Sequence, residues 1–392
     1  NDQIGGDRFL YLPSSYGAAS DSGVNKYNFG LASNPYTSLM IVENKIGNPD
    51  LTWEKAKKMN VGVDLNLFNN CLTASFDIFK EKRNNILANR STSPMIIGAN
   101  LPAYNFGEME NRGWEMDLNF RHHIQDFHYW ARFNYSFARN EIIYMDEVQK
   151  RYDYQMTTGR RKNQFFGLIF DGYYNSWEEI NALDRPKSSW SGNQLQPGDV
   201  KYVDVNQDGV IDDYDMVPIG YTPVPEIIYG FSFGAQYKGF DFSILFQGAD
   251  NVSIKYFGRS MWPFAKGEES AKSLIKERWT QERYEAGEKI TFPRLSLNPT
   301  GETDPNYRPS TLWIRDASYL RLKNLEVGYT FTGGFVKRLN LNSVRLYFNG
   351  SNLFTWTDVV DLDPEAPSRS GNVEINTYPL QKVYNIGLNI NF

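Results

Sequence analysis

The stretch DVNQDGVIDDYD, Asp204 to Asp215, spaces its acidic side chains at intervals that suit a hard cation. Ca²⁺ takes about six to eight oxygens, and a loop of the EF-hand kind draws them from its first, third, fifth, seventh, ninth and twelfth positions. Counted from Asp204, those positions are Asp204, Asn206, Asp208, Val210 through its carbonyl, Asp212 and Asp215, with Gly209 at the sharp turn. Asp215 stands where an EF-hand has Glu, which weakens bidentate closure and brings the loop nearer the dockerin-type variant. The same residues also fit an acidic turn held by Asx hydrogen bonds without metal. A regulatory sensor fits least. GDVKYVDV before the loop reads as extended and MVPIGYTPVPE after it is rich in proline, so neither flank supplies the helix an EF-hand needs. A structural Ca²⁺ that stiffens a long loop is the expectation, with the unmetallated turn as its alternative.

Other chemistry is sparse. His122, His123 and His128 gather near a short connection and read as solvated. The carboxylate pairs Glu178-Glu179 and Glu268-Glu269 are sequence neighbours on expected helices, a spacing that splays them apart. EESAKSLIKERWTQERY, residues 268–284, reads as one short amphipathic helix with Leu274, Ile275 and Trp279 buried. No GxSxG elbow, HExxH helix or phosphate loop is present, so no enzymatic activity is expected. Trp177, Trp190, Trp262, Trp313 and Trp356 offer surfaces for sugar rings or peptide side chains, although such residues more often pack loops together.

The elements that must carry these loops read as strands. In the closing VYNIGLNINF, Tyr384, Ile386, Leu388, Ile390 and Phe392 fall on one face, with Asn385, Gly387, Asn389 and Asn391 on the other. MNVGVDLNLF alternates in the same way, turns at Asn69-Asn70, and resumes at Leu72, Ala74, Phe76 and Ile78. WEMDLNFR, FHYWARFNYSF, YGFSFGAQY, FDFSILF, LRLKNLEVGYTF and VRLYFNG repeat the pattern, giving about nine strands of a length that crosses a bilayer when tilted. In LRLKNLEVGYTF the apolar phase slips, which predicts a bulge at Lys323-Asn324.

Short turns alternate with long connections expected at 80–112, 139–226, 249–317 and 351–382, so the two kinds of end lie on opposite rims. That asymmetry, with an aromatic outer face and Asp64, Glu115, Asp117, Arg121, Arg132, Asp241 and Glu326 on the inner one, predicts an all-β, antiparallel transmembrane β-barrel. The net charge of -5 is spread along the chain, which argues against nucleic acid as a partner. Cys71 is the only cysteine, so no disulfide framework forms within the chain. The start, NDQIGGDRF, has no signal-peptide pattern, and an odd strand count cannot close a bacterial barrel; both features read as a piece of a longer protein. Residues 1–57 are expected to be an extracellular loop that leads into barrel strands and loops over 58–392.

At NPDLTWEKAKKMNVGVD, FDIFKEKRNNIL, ENRGWEMDLNF, FFGLIFDGYYNSWEEI, PGDVKYVDVNQDGVIDDYD, ASYLRLKNLEVGYTF, LYFNGSNLFTWT and the last strand, the chain resembles the C-terminal part of the barrel of SusC/RagA-type TonB-linked outer-membrane transporters of Bacteroidetes. The resemblance implies a plugged barrel of about 22 strands, of which this chain supplies the C-terminal portion. It also implies a SusD-like lipoprotein lid, a TonB complex acting through an N-terminal region, an oligosaccharide or oligopeptide substrate, and a dimer of transporter–lipoprotein pairs. The family's plug and TonB box match nothing in these residues. Tyr384, Ile386, Leu388, Ile390 and Phe392 resemble the signal read by the outer-membrane assembly machinery. The rival from another class is a secreted, calcium-stabilised β adhesin or glycan-binding module.

Overall fold

The computed structural model describes residues 11, 16–18, 26–31, 36–39, 41–43, 47–92, 101–190, 195–256, 262–264, 273–296, 304–365 and 379–392. Its frame is a nine-stranded sheet in which each strand pairs with the next in the chain. The strands are β1 (Lys55–Leu67), β2 (Leu72–Ala88), β3 (Tyr104–Ile124), β4 (Phe127–Tyr144), β5 (Ile227–Tyr237), β6 (Phe240–Asp250), β7 (Tyr319–Phe331), β8 (Ser343–Thr357) and β9 (Val383–Asn391). All pairings in this sheet are antiparallel, and β1 and β9 are its edges among the described residues. No helix among them is long and apolar enough to cross a membrane.

The tight turns occur where the sequence has residues tolerant of left-handed backbone. Asn69 and Asn70, at φ of 53° and 66°, reverse the chain between β1 and β2. Gly239, at 92°, does so between β5 and β6, where an added Cβ would come within 2.8 Å of the Thr330 carbonyl. The predicted bulge is present: the pairing of β7 shifts between Leu322 and Asn324 against β8, and the β6 partner register shifts between Leu245 and Phe246.

Register turns local alternation into two continuous faces. One row runs Asp64, Ser75, Asp117, Asn134, Gly230, Gln247, Arg321 and Thr355 across β1 to β8; the adjacent row runs Val63, Phe76, Met116, Tyr135, Tyr229, Gly248, Leu320 and Trp356. Directly paired residues share a face, so the sheet is polar on one side and apolar on the other. The apolar side stays open: Val61 is 70% exposed and Ile386 is 80% exposed.

The packed core lies elsewhere, in the long connections. Trp262, Trp279, Phe292, Tyr307 and Trp313 are buried together with Val200, Ile254, Tyr256, Leu274 and Leu312. Tyr307 stacks on Trp313 with centroids 5.5 Å apart, and Phe292 meets Trp313 edge-on at 5.4 Å. Among the described residues, the connections between β4 and β5, between β6 and β7 and after β8 supply this core from the same rim of the sheet.

Several expected boundaries need correction. Residues 80–112 are not one loop, because β2 continues to Ala88 and β3 begins at Tyr104. The apolar alternation stops at Ile78, but the strands run on as a hairpin whose cross-strand partners are charged: Lys80 pairs with Glu110 at 2.8 Å and Lys82 with Glu108 at 2.9 Å. The other long connections shorten for the same reason, since β4 reaches Tyr144, β6 reaches Asp250 and β8 reaches Thr357. Trp356 is therefore on a strand, not in a loop. The helix expected over 268–284 is two pieces among its described residues, a 3-10 turn Ser273–Glu277 and a helix Gln281–Glu285. Between them Trp279 is drawn into the core, its amide bonded to the Phe292 carbonyl at 2.8 Å, and Thr280 caps the second helix. Glu268 and Glu269 lie outside the described residues. At the N-terminal end, Lys55 rather than Met59 opens β1, and two small antiparallel ladders, Tyr16–Ala18 with Ile41–Glu43 and Lys26–Phe29 with Tyr36–Leu39, precede it.

Candidate functional site

The acidic loop sits within the layer above the sheet, on the connection between β4 and β5. Val210–Ile211 forms a short parallel ladder with Lys187–Ser188, and Ile211 is buried. The side chains of the expected ligand set fold back onto the loop's own amides. Asp204 Oδ2 accepts from the Gly209 amide at 2.8 Å, Asn206 Oδ1 from Asp208 at 2.9 Å, and Asp208 Oδ1 from Val210 at 3.0 Å. Asp212 Oδ1 accepts from the Tyr214 amide at 2.7 Å and caps the turn Asp213–Asp215.

Asp215, the expected closing ligand, is fully buried. It accepts from the amides of Val205 at 2.8 Å and Asp212 at 2.9 Å, and so ties both ends of the loop together. Burial pushes its carboxyl above the ordinary range, against the pull of those amides. Asp204 Oδ1 is shielded from solvent and has no hydrogen-bond partner. Among the described residues, no group of three or more His, Cys, Asp or Glu side chains is arranged to hold a metal ion.

Charge networks that no local pattern announces lock the connections to one another. Arg308, 8% exposed, forms an ion pair with Asp213 and lies 4.0 Å over the ring of Trp190, so one face of that tryptophan is covered. Asp199 is buried; it accepts from Asn306 Nδ2 at 2.8 Å and pairs with Arg294 at 2.6 Å. Asn306 Oδ1 in turn accepts from the Val200 amide at 2.8 Å, and its carbonyl accepts from Trp313 Nε1 at 2.8 Å. Trp262 and Trp313 are thus part of the layer's interior, which removes them as stacking surfaces, whereas Trp177 remains half exposed.

Where the layer joins the sheet, Glu226 is 4% exposed and receives Arg139 at 2.7 Å, Arg161 and Asn251 Nδ2 at 3.1 Å. Burial opposes its charge, but the Arg139 hydrogen bond and the Arg161 charge outweigh it and hold the carboxyl below its ordinary value. A second junction forms on the polar face of the sheet. Arg321, also buried, reaches Asp363 at 2.7 Å and Glu365 at 3.0 Å, so the connection after β8 folds over that face.

Two of the expected inward charges meet lower down. Arg345 donates Nε to Asp241 at 3.0 Å and Nη2 to Glu326 at 2.6 Å, and Asn349 donates to Glu326 at 3.1 Å. Gly328 makes the room, since a Cβ there would lie 2.7 Å from both Arg345 Nη2 and Asp241 Oδ2. The histidines lie at the opposite rim from the loop layer, with His123 stacked on His128 at 5.5 Å and His122 beside Tyr129.

The last strand presents Tyr384, Ile386, Leu388 and Ile390 as partners of Gly350, Phe348, Leu346 and Val344. All four, with Phe392 at 88%, are exposed on the apolar face. Glu226, Arg308, Arg321 and Asn306 escaped sequence reading because each acts across a long span; the Val200–Asn306 bond joins positions 106 apart. Glu226 between Pro225 and Ile227, and Arg321 between Leu320 and Leu322, offer one local signal, a charge set in an otherwise apolar stretch.

Residues 12–353 match the family described as TonB dependent receptor-like, beta-barrel. The chain is 28% identical over 412 residues to TonB-dependent receptor P26 of Formosa agariphila, covering 98% of this chain and 40% of that protein. It is 26% identical over 393 residues to TonB-dependent receptor SusC of Bacteroides thetaiotaomicron, covering 99% of this chain and 36% of the relative. Among solved structures it resembles the RagAB peptide importer in its open-open state, with a TM-score of 0.66, 23% identity, and coverage of 96% of this chain and 38% of that one. The chain spans between 36% and 41% of the length of the curated relatives it matches.

Proposed function

The chain belongs to the TonB-dependent receptor family through its β-barrel region, and on that premise we propose that it is the C-terminal part of the barrel of an outer-membrane nutrient importer. The observation that carries the reading is the nine-stranded meander with an exposed apolar face and a polar face, topped on one rim by a packed layer of long connections. Exposed rows of Val, Ile and Phe have no place in water over so large an area, and a bilayer is the solvent that suits them. The chain works in the outer membrane of a Gram-negative, Bacteroidetes-related cell. Its free edges β1 and β9 pair with the strands of the remaining sequence to close a barrel of about 22 strands.

The loop layer faces outward and meets a SusD-like lipoprotein, and the substrate is an oligopeptide or oligosaccharide. The RagAB structures are those of a peptide importer, which favours a peptide cargo, and SusC is a TonB-dependent receptor, which favours uptake that draws on TonB. Residues 1–57 lead from the preceding part of the protein into β1. Uptake draws on TonB through the N-terminal region, in transporter–lipoprotein pairs that dimerise. The last strand carries the assembly signal, Tyr384 to Phe392.

The experiment is expression of the full-length protein with its neighbouring lipoprotein in a Bacteroidetes host. The protein should fractionate with outer membranes, require detergent for extraction, migrate differently before and after heating, and co-purify with the lipoprotein. Growth on oligopeptide or oligosaccharide should fall when TonB is inactivated. A protein released in soluble form without detergent would instead favour the secreted β adhesin.

A calcium ion in the Asp204–Asp215 loop is part of the proposal. The spacing of the acidic residues along the sequence supports it, as does Asp204 Oδ1, buried without a partner. Asp204, Asn206, Asp208, the Val210 carbonyl, Asp212 and Asp215 would hold the ion as a brace, with no part in transport chemistry. Saturating Ca²⁺ at about 100 times its dissociation constant should stabilise the loop by about 2.7 kcal/mol, and Asp208→Ala should abolish that response. Protease resistance of the layer that is equal with Ca²⁺ and with chelator would leave the unmetallated turn.

A further inference from the structure

The outer face of β2, β3 and β4 changes character in one step. Ile78, Trp114 and Phe137 are direct cross-strand partners on the apolar face; two residues nearer the loops, Lys80, Arg112 and Arg139 are partners on the same face. Like charges placed directly opposite destabilise a ladder, so three adjacent cations call for a counter-charge. Lys80 finds Glu110 and Arg139 finds Glu226. The Arg112 side chain has no ion pair or hydrogen bond among the described residues.

The loop brings a further cation to the same place. The Arg160 carbonyl accepts from the Ile142 amide at 2.8 Å and holds that residue beside the end of β4. Its guanidinium, like that of Arg112, has no partner among the described residues. Arg112, Arg139, Arg160 and Arg161 line one open cleft of about 380 Å³, in which Glu141 is the one carboxylate.

Directly beneath the cleft lies an aromatic cluster. Trp114 stacks on Tyr135 at 4.7 Å and 15°, Phe76 lies 5.9 Å from Trp114, and Arg139 sits 5.4 Å over the ring of Phe137. Trp and Tyr at the border of an apolar band mark the depth of lipid headgroups, and cations at that depth attract anionic ones. We propose that Lys80, Arg112, Arg139 and Arg160 bind the phosphate group of an outer-leaflet lipid, whose acyl chains run down over Trp114, Phe137 and Ile78. The proposal rests on the reading of this chain as a membrane barrel with its loops outside. Arginine suits the task because its planar fork engages two phosphate oxygens at once.

The test uses the full-length protein extracted in mild detergent, with lipid-bound phosphorus measured per protein after size exclusion. Arg112→Gln combined with Arg160→Gln should lower retained phosphate-bearing lipid by roughly tenfold, while Arg112→Lys alone, which keeps the charge and loses the fork, should lower it less. Heat-modifiable migration reports folding of each variant separately. Unchanged lipid retention in a folded double variant overturns the proposal. So does binding of free inorganic phosphate that depends on Arg112 while lipid retention does not, since the cleft would then serve a soluble anion. A wild-type protein that needs no detergent would overturn the membrane reading itself, and the two failures remain distinct.

Discussion

Strand β4 and the layer above it dispose of aromatic side chains in opposite ways. Along β4, Phe133 and Tyr135 stand on the open face of the sheet with centroids 6.4 Å apart, packed on each other and on neighbouring strands but on no second layer. Above, Trp313, Tyr307 and Phe292 are enclosed on all sides, and the loop backbone engages the Trp313 indole, whose Nε1 donates to the Asn306 carbonyl. The wall relies on a solvent that tolerates apolar surface; the loop layer, surrounded by water, has to build its own core. One chain thus folds under two rules, and the same substitution should have different consequences in the two regions.

The largest effect is expected in the layer. Trp313→Ala should cost about 3–5 kcal/mol of local stability, because the surrounding rings cannot collapse into the space it leaves. Limited proteolysis should then cut within the connection between β6 and β7 while heat-modifiable migration of the wall persists. Loss of both together would mean that the two regions are one cooperative unit.

Next in size is a contrast between neighbours in β3. Leu118 is on the apolar face, as the partner of Ala74 and Phe133, and Asp117 is on the polar face, as the partner of Ser75 and Asn134. Leu118→Arg should cost about 2–4 kcal/mol in folding into a bilayer, whereas Asp117→Arg should change little. Equal costs at the two positions would break the two-faced account.

The junction between the regions comes third. Glu226→Gln should loosen the layer by about 2 kcal/mol, a figure reduced from that of a fully buried pair because Arg139 remains partly exposed. With its carboxyl held below the ordinary value, Glu226 contributes stability that is fully present above about pH 4.3 and is lost as pH falls through its lower folded value. Acid unfolding followed by loop fluorescence should show that loss in the native protein, and E226Q should flatten it. The smallest effect is the cap: Asp212→Ala should cost about 1 kcal/mol, confined to the acidic loop, and hydrogen exchange at Tyr214 should report it.

The wall was legible in the sequence because its determinant is local. Alternation in VYNIGLNINF or MNVGVDLNLF needs no knowledge of a partner, and even the bulge at Lys323-Asn324 appeared as a slip of phase. The reading stopped early in β2 and β3, where the face that alternates is charged rather than apolar and the pairs Lys80–Glu110 and Lys82–Glu108 replace packing. The layer above was legible only in its parts. The acidic loop and Trp279 stood out, but not which of the other tryptophans would be buried or the pairing of Arg308 with Asp213, since those depend on contacts between separate connections. A single helix over 268–284 satisfied the local periodicity, yet extending the chain at Trp279 buries an indole and gains the Phe292 hydrogen bond.

The central claim is that one face of the sheet meets lipid and the other meets water. It is tested most directly by placing a fluorescent cysteine label in turn at Phe133, Asn134, Tyr135 and Ser136 of the full-length protein, with Cys71 replaced by Ser, in bilayers. Brominated lipid should quench the labels at 133 and 135, and an aqueous quencher those at 134 and 136. Equal quenching of all four from the aqueous phase would contradict the account.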